Sequence, residues 1–254
     1  MKQWQKYAAE LLGTFVLVFG GSLSILSGIG AEAVAFGFGL SLLAGLYAFG
    51  EVSGGHFNPV VSLAMFLDGR LKALDTVMYW ISQLAGALLA SLVIFATWGF
   101  DTGAVGSTAN RPGRGSDIRS FIIEIVATAI FVALILQVTK SGKFSGQALL
   151  VIPLTLAGLH FATVGISSTG LNPWRSFAPV LWSGDHWSVI WIYLLAPIIG
   201  AVLGFFAHIV TVKGDTNIKD DLQRAMTDMK TVDMDDVKAE IPGQGDAPST
   251  GATA

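Results

Sequence analysis

Residues 53–62 read SGGHFNPVVS and residues 168–176 read STGLNPWRS. Asn is favoured as the residue that caps a helix start, and Pro fits the first helical position, where its missing N–H would have no partner anyway. Asn58-Pro59 and Asn172-Pro173 therefore read as two helix starts. The apolar pieces they open, 58–67 and 172–182, are too short to cross a bilayer, which takes about 20 residues of helix. The Gly/Ser-rich approaches, 52–56 and 165–170, can run extended at membrane depth only where protein or water satisfies their backbone groups. Each motif reads as a re-entrant loop leading into a half-helix. The plainer alternative is that both pairs merely cap interfacial helices.

Around these motifs lie six apolar stretches of spanning length, at about 7–27, 31–50, 73–98, 118–139, 145–166 and 187–211. The chain of 254 residues is 52% hydrophobic and only 13% charged, against roughly 25% charged in a soluble domain. Its charge is also unevenly placed, with nine acids and five bases in residues 213–254. What remains is too poor in charge to hold a water-facing surface, so lipid is the expected solvent. The first stretch could pass for a signal peptide after Lys2 and Lys6, but it is long, contains Glu10 and lacks a small-residue cleavage site. It is expected to stay in the mature protein. Lys2, Lys6, Arg70, Lys72, Lys140, Lys143 and Lys213 fall on one side of a six-span chain, and Arg111, Arg114 and Arg119 on the other. Basic residues in short loops are retained on the cytoplasmic side, which puts both termini there, in a multi-pass protein of the cell membrane.

A single register relates the two halves. Glu10 and Glu124 stand 114 positions apart, as do Ser53 and Ser167, Asn58 and Asn172, Pro59 and Pro173, Ser62 and Ser176, Tyr79 and Tyr193, and Gly86 and Gly200. An apolar chain could align Gly, Ala or Leu by chance, but hardly a Glu, an Asn-Pro pair and a Tyr together. Three spans per copy is an odd number, so the second copy enters from the opposite face, as an inverted repeat. The half-helices then meet with their N-termini near the midplane. Two positive dipole ends and two Asn amides point at one place, which repels cations and offers donors to a passing oxygen.

These residues carry a resemblance. SGGHFNPVVS and STGLNPWRS, with AELLGTF in the first span and YWISQLAGA in the third, resemble the aquaporin or major intrinsic protein family, water-selective branch, over about residues 6–211. Val60 and Trp174 replace the Ala that usually follows each Asn-Pro, and an indole at that joint must turn outward or spread it. The resemblance implies an all-α integral membrane fold of six transmembrane helices plus two half-helices. It also implies a homotetramer with a pore in each subunit. Repeat one would cover about 6–98 and repeat two 118–211, within a channel domain of 1–212.

Carried over by motif, the family's outer selectivity ring falls on Phe38, His160, Thr169 and Arg175. Phe38 and His160 supply bulk and Arg175 a fixed positive charge, a set suited to water; a glycerol facilitator would be expected to carry Trp and a small residue at the first two positions. Tyr193 is an aromatic expected of water channels, whereas the neighbouring Leu194 resembles the glycerol branch. His160 could equally be a satisfied core histidine.

Glu10 and Glu124 could mark a proton-coupled secondary transporter, since intramembrane carboxylates serve proton relays; in the aquaporin-like reading they instead support the re-entrant loops. Apart from that pair the spans offer no acid–base constellation and no metal-ligand cluster, so neither an enzyme, a cofactor nor a metal is expected. No basic stripe suggests nucleic acid, and the absence of cysteine excludes disulfides and thiolate chemistry. A membrane scaffold without a pore remains open at this stage. In the acidic tail, Ile218, Leu222, Ala225, Met229 and Val232 recur at helical spacing, so 217–240 is expected to form an amphipathic cytoplasmic helix before a Gly/Pro/Ser-rich disordered end.

Overall fold

A computed structural model describes residues 2–113, 116–140, 145–213, 223 and 226–229. Nine α-helices occur among them: α1 (Gln3–Leu26), α2 (Ala31–Ser53), α3 (Pro59–Leu67), α4 (Ala73–Thr97), α5 (Thr102–Ser107), α6 (Asp117–Val138), α7 (Ala148–Ser167), α8 (Pro173–Ser183) and α9 (Ile190–His208). Six of them, α1, α2, α4, α6, α7 and α9, are long and apolar enough to cross a membrane. Their outward faces stay apolar, with Leu40, Ile81, Ile122, Ile130, Leu154 and Leu203 exposed. In lipid such faces carry no penalty, because hydrocarbon is as apolar as the side chains. The protein is an all-helical, multi-pass membrane protein.

The two short elements expected from the Asn-Pro pairs are α3 and α8. Each starts with an Asn cap whose side chain accepts from backbone N–H groups, and each has Pro at the first helical turn. They are inserted crosswise: α3 packs on α4 and α9, and α8 on α9 and α4, so each half-helix touches the last span of both halves. The halves also meet through α2 and α7.

Small residues set the closest helix approaches, as is usual where no hydrophobic effect drives association within lipid. A Cβ at Gly86 would lie 2.2 Å from the Leu11 carbonyl oxygen, and one at Gly200 would lie 2.5 Å from that of Ile125. These contacts join α4 to α1 and α9 to α6, and they repeat the 114-residue register at both partners.

Three features depart from the sequence reading. The connection between the halves contains the short helix α5, because Asp101 caps it by accepting from Gly103 N at 2.8 Å. The second span runs on to Ser53 and stops at Gly54, whose φ of 91° is left-handed. The last span begins at Ile190 rather than 187, after a turn closed by Val189 N to His186 O. Of the helix expected over 217–240, residues 223 and 226–229 are helical and the remainder, like the end expected to be disordered, lies outside the described residues.

Replacing Gly86 or Gly200 by Ala should lower the midpoint of thermal unfolding in detergent, since overpacking costs about 1–3 kcal/mol. Gly158→Ala, where a Cβ meets nothing within 4 Å, should leave that midpoint unchanged or raise it.

Candidate functional site

The re-entrant loops carry an unusual backbone. Phe57, Ser168, Thr169 and Leu171 hold positive φ of 48–59°, and Gly54 and Gly55 hold 91° and 66°. The left-handed positions fall at 54, 55 and 57 in one loop and 168, 169 and 171 in the other, the same three places in each copy. Non-glycine residues there cost of order 1–3 kcal/mol each and persist only where their surroundings over-determine them.

Two buried carboxylates provide that determination. Glu10 Oε1 accepts from Ser53 Oγ at 2.7 Å and His56 N at 2.9 Å, and its Oε2 from Phe57 N at 2.7 Å. Glu124 Oε1 accepts from Ser167 Oγ at 2.6 Å and Gly170 N at 2.8 Å, and its Oε2 from Leu171 N at 2.9 Å. Both glutamates are fully buried. Behind them Tyr79 Oη donates to Ser53 O at 2.6 Å, and Tyr193 Oη to Ser167 O at 2.8 Å. The aromatic position read as a water-channel feature, Tyr193, is thus wholly buried as a brace of the second loop.

The asparagines join the two loops. Asn58 Oδ1 caps α3 by accepting from Val60 N at 3.1 Å, and Asn172 Oδ1 caps α8 by accepting from Trp174 N at 3.1 Å and Arg175 N at 3.3 Å. Their amides reach across: Asn58 Nδ2 donates to Leu171 O at 2.8 Å, and Asn172 Nδ2 to Phe57 O at 2.9 Å. Each amide has two N–H groups, so one remains on each for another acceptor. Both asparagines line a cavity of about 80 Å³. Leu42, Val61, Ile135 and Leu156 make its apolar wall, and His56 adds a polar edge.

Phe38, His160 and Arg175 also line this cavity. Phe38 and His160 stack with ring centroids 4.5 Å apart and planes 18° apart, and the Arg175 guanidinium carbon lies 4.8 Å from the Phe38 centroid. All three are at most 2% exposed, so the side chains close against one another. His160 Nδ1 is 2.9 Å from Leu156 O. A carbonyl can only accept, so Nδ1 carries a hydrogen, and the neutral tautomer with that hydrogen has its lone pair on Nε2. Thr169, the fourth residue carried over by motif, is not among the cavity's lining residues; its hydroxyl is 2.8 Å from Thr163 Oγ1.

Pro59 and Pro173 are buried in the first turns of α3 and α8, and Val60 is buried among the core residues. Trp174 packs against a buried cluster made by Val18 of α1, Ala87 and Ala90 of α4 and Ala178 of α8. The cross-loop amide bonds beside it keep ordinary lengths.

Other contributors were not singled out from sequence. Arg175 Nη1 donates to Thr108 O at 3.1 Å and to Asn110 Oδ1, while Asn110 Nδ2 donates to Ser168 O at 2.8 Å. The connection between the halves therefore holds both the arginine and the second loop. Gln83 Nε2 donates to Glu10 Oε2 at 2.7 Å and Ser62 Oγ at 2.9 Å. A polar residue in the middle of an apolar span is a signal in its own right; nothing marked Asn110.

Six spans around two half-helices whose caps cross-bond define an integral membrane protein of the inverted-repeat channel type. The chain belongs to the major intrinsic protein family, which it matches over residues 1–208. It is 38% identical over 214 residues to Aquaporin Z of Brucella melitensis, covering 78% of this chain and 94% of that one. A glycerol uptake facilitator protein-like 6 of Lactiplantibacillus plantarum is 38% identical over 208 residues, covering 80% and 95%. In structure, the aquaglyceroporin from Plasmodium falciparum superposes with a TM-score of 0.73 at 21% identity, covering 83% of this chain and 96% of that one, a likeness of fold.

Glu124→Gln puts an amide donor against backbone N–H groups. Leaving one such donor unsatisfied costs about 1–3 kcal/mol, so the variant should unfold at lower temperature and expose 168–171 to proteolysis sooner than wild type.

Proposed function

We propose that residues 1–212 form a passive water channel, with repeat one at about 6–98, repeat two at about 118–211 and an acidic tail beyond. The observation that carries this reading is the pair of cross-bonded amides, each with one N–H left over at a narrow cavity. A water passing in single file can accept from both, which fixes its orientation and interrupts proton hopping. The positive ends of α3 and α8 add repulsion for cations. Both effects are established physics of aquaporin-type pores.

Phe38, His160 and Arg175 are the selectivity ring of this proposal. A guanidinium in a poorly solvated constriction opposes cations strongly, and the stacked rings leave little room for a polyol. Glu10 and Glu124 are given a structural role rather than a proton relay, because their oxygens already accept from the loops. The subunits assemble as homotetramers in the cell membrane, with both termini cytoplasmic.

A second reading, a facilitator for glycerol or another small neutral solute, draws on the name of the Lactiplantibacillus relative and on Leu194 beside Tyr193. Flow measurements separate the two. Proteoliposomes carrying the protein should shrink many-fold faster than empty ones under an impermeant osmolyte, with weak temperature dependence and no proton flux. Glycerol entering as readily as water would overturn water selectivity, and proton-driven solute accumulation would put a transporter in its place. Engineering the ring provides an independent test. Phe38→Trp combined with His160→Gly should admit glycerol while water still passes, and Arg175→Val should let cations or protons leak.

A further inference from the structure

Thr163 lies three residues after His160 on α7, one turn along the same helix face. Its Oγ1 is 2.8 Å from Leu159 O and 2.8 Å from Thr169 Oγ1. Each hydroxyl has a single proton. A carbonyl can only accept, so the Thr163 proton belongs to Leu159, and in the contact between the two threonines Thr169 must be the donor. The reverse assignment would strand the proton of Thr169, whose side chain is fully buried. The Thr169 N–H is directed to Ser167 Oγ at 3.3 Å and stays with the loop.

We propose that Thr163 is a positioning residue for water passage: it accepts the Thr169 hydroxyl hydrogen bond and so keeps that hydroxyl, next in sequence to the cavity-lining Gly170 and Leu171, turned away from the cavity. Among the described residues this leaves a simple polarity there. Arg175 supplies donors, and His160 Nε2, which has no protein partner, supplies an acceptor. A water molecule can accept from the one and donate to the other. A further directional group, the Thr169 hydroxyl, would hold it longer. The inference rests on the water-channel reading and adds to it a residue behind the ring.

The isosteric change Thr163→Val removes the acceptor and frees the Thr169 hydroxyl to turn toward the permeant. Water permeability would be measured in proteoliposomes with matched amounts of inserted protein, for wild type, Thr163→Val, Thr163→Ser, Thr169→Val and the double Val variant. Thr163→Val should lower water flow several-fold and steepen its temperature dependence. Thr163→Ser, which keeps the acceptor, should behave as wild type, and the double variant should match Thr169→Val alone. If Thr163→Val fails to insert, Thr163→Ala makes the same comparison. Wild-type flow in Thr163→Val overturns the proposal, as does an equal loss in the Thr169→Val background, which would mean that Thr163 only fills space. Wild type no faster than empty liposomes overturns the channel reading itself, and this inference with it.

Discussion

Backbone that is neither helix nor closed sheet can lie at the middle of a membrane only if its N–H and C=O groups find partners inside the protein or in water. Everything distinctive about this chain follows from meeting that requirement twice. Glu10 and Glu124 each take two loop N–H groups and a serine hydroxyl. The asparagines then take one carbonyl each from the opposite loop. With those bonds in place the left-handed residues are held, the half-helices start where they must, and the remaining polar groups are free to face a cavity.

The two halves solve the problem with the same parts but not identically. Position 83 is Gln where the second copy has Pro197, and position 56 is His where the second has Gly170. In the first half Gln83 adds a donor to Glu10, and His56 Nδ1 lies 3.0 Å from Ser62 Oγ. In the second half a Cβ at Gly170 would sit 2.8 Å from the Tyr193 ring and 3.0 Å from Glu124 Oε2, so no histidine fits. The repeat is strict at the glutamates, serines and asparagines that satisfy loop backbone and differs at the cavity-lining positions 56 and 61, whose counterparts are Gly170 and Arg175. Arg175 has Val61 as its counterpart in the first half, and both line the cavity, which makes the passage polar in an unequal way along its length.

Much of this was legible beforehand because it depends on residue type at fixed spacing. Helix caps, span lengths and the register of 114 are local or periodic, and Asn58, Asn172, Glu10 and Glu124 stand out as polar residues in apolar surroundings. Orientation is another matter. Nothing in STGLNPWRS says that the Thr169 hydroxyl turns to Thr163, since that depends on where α7 lies relative to the loop. The sequence allows the Trp174 indole two directions, and the structure packs it against the cluster of Val18, Ala87, Ala90 and Ala178. Asn110 was illegible because loop residues gain meaning only from what they fold against. The same holds for α5, too short for periodicity and marked only by Asp101.

The cross-bonded amides also bear on how such a chain is made. Each loop is braced by a glutamate from its own half, so the first half has what it needs to shape its re-entrant segment as it leaves the ribosome. It cannot finish the job. Until the second loop is inserted, the Asn58 amide and the Phe57 carbonyl lack the partners they have in the mature protein, and in lipid such groups are too costly to leave bare. Until then water or other protein must serve those groups. The two bonds at the centre of the molecule can close only once both halves are in place.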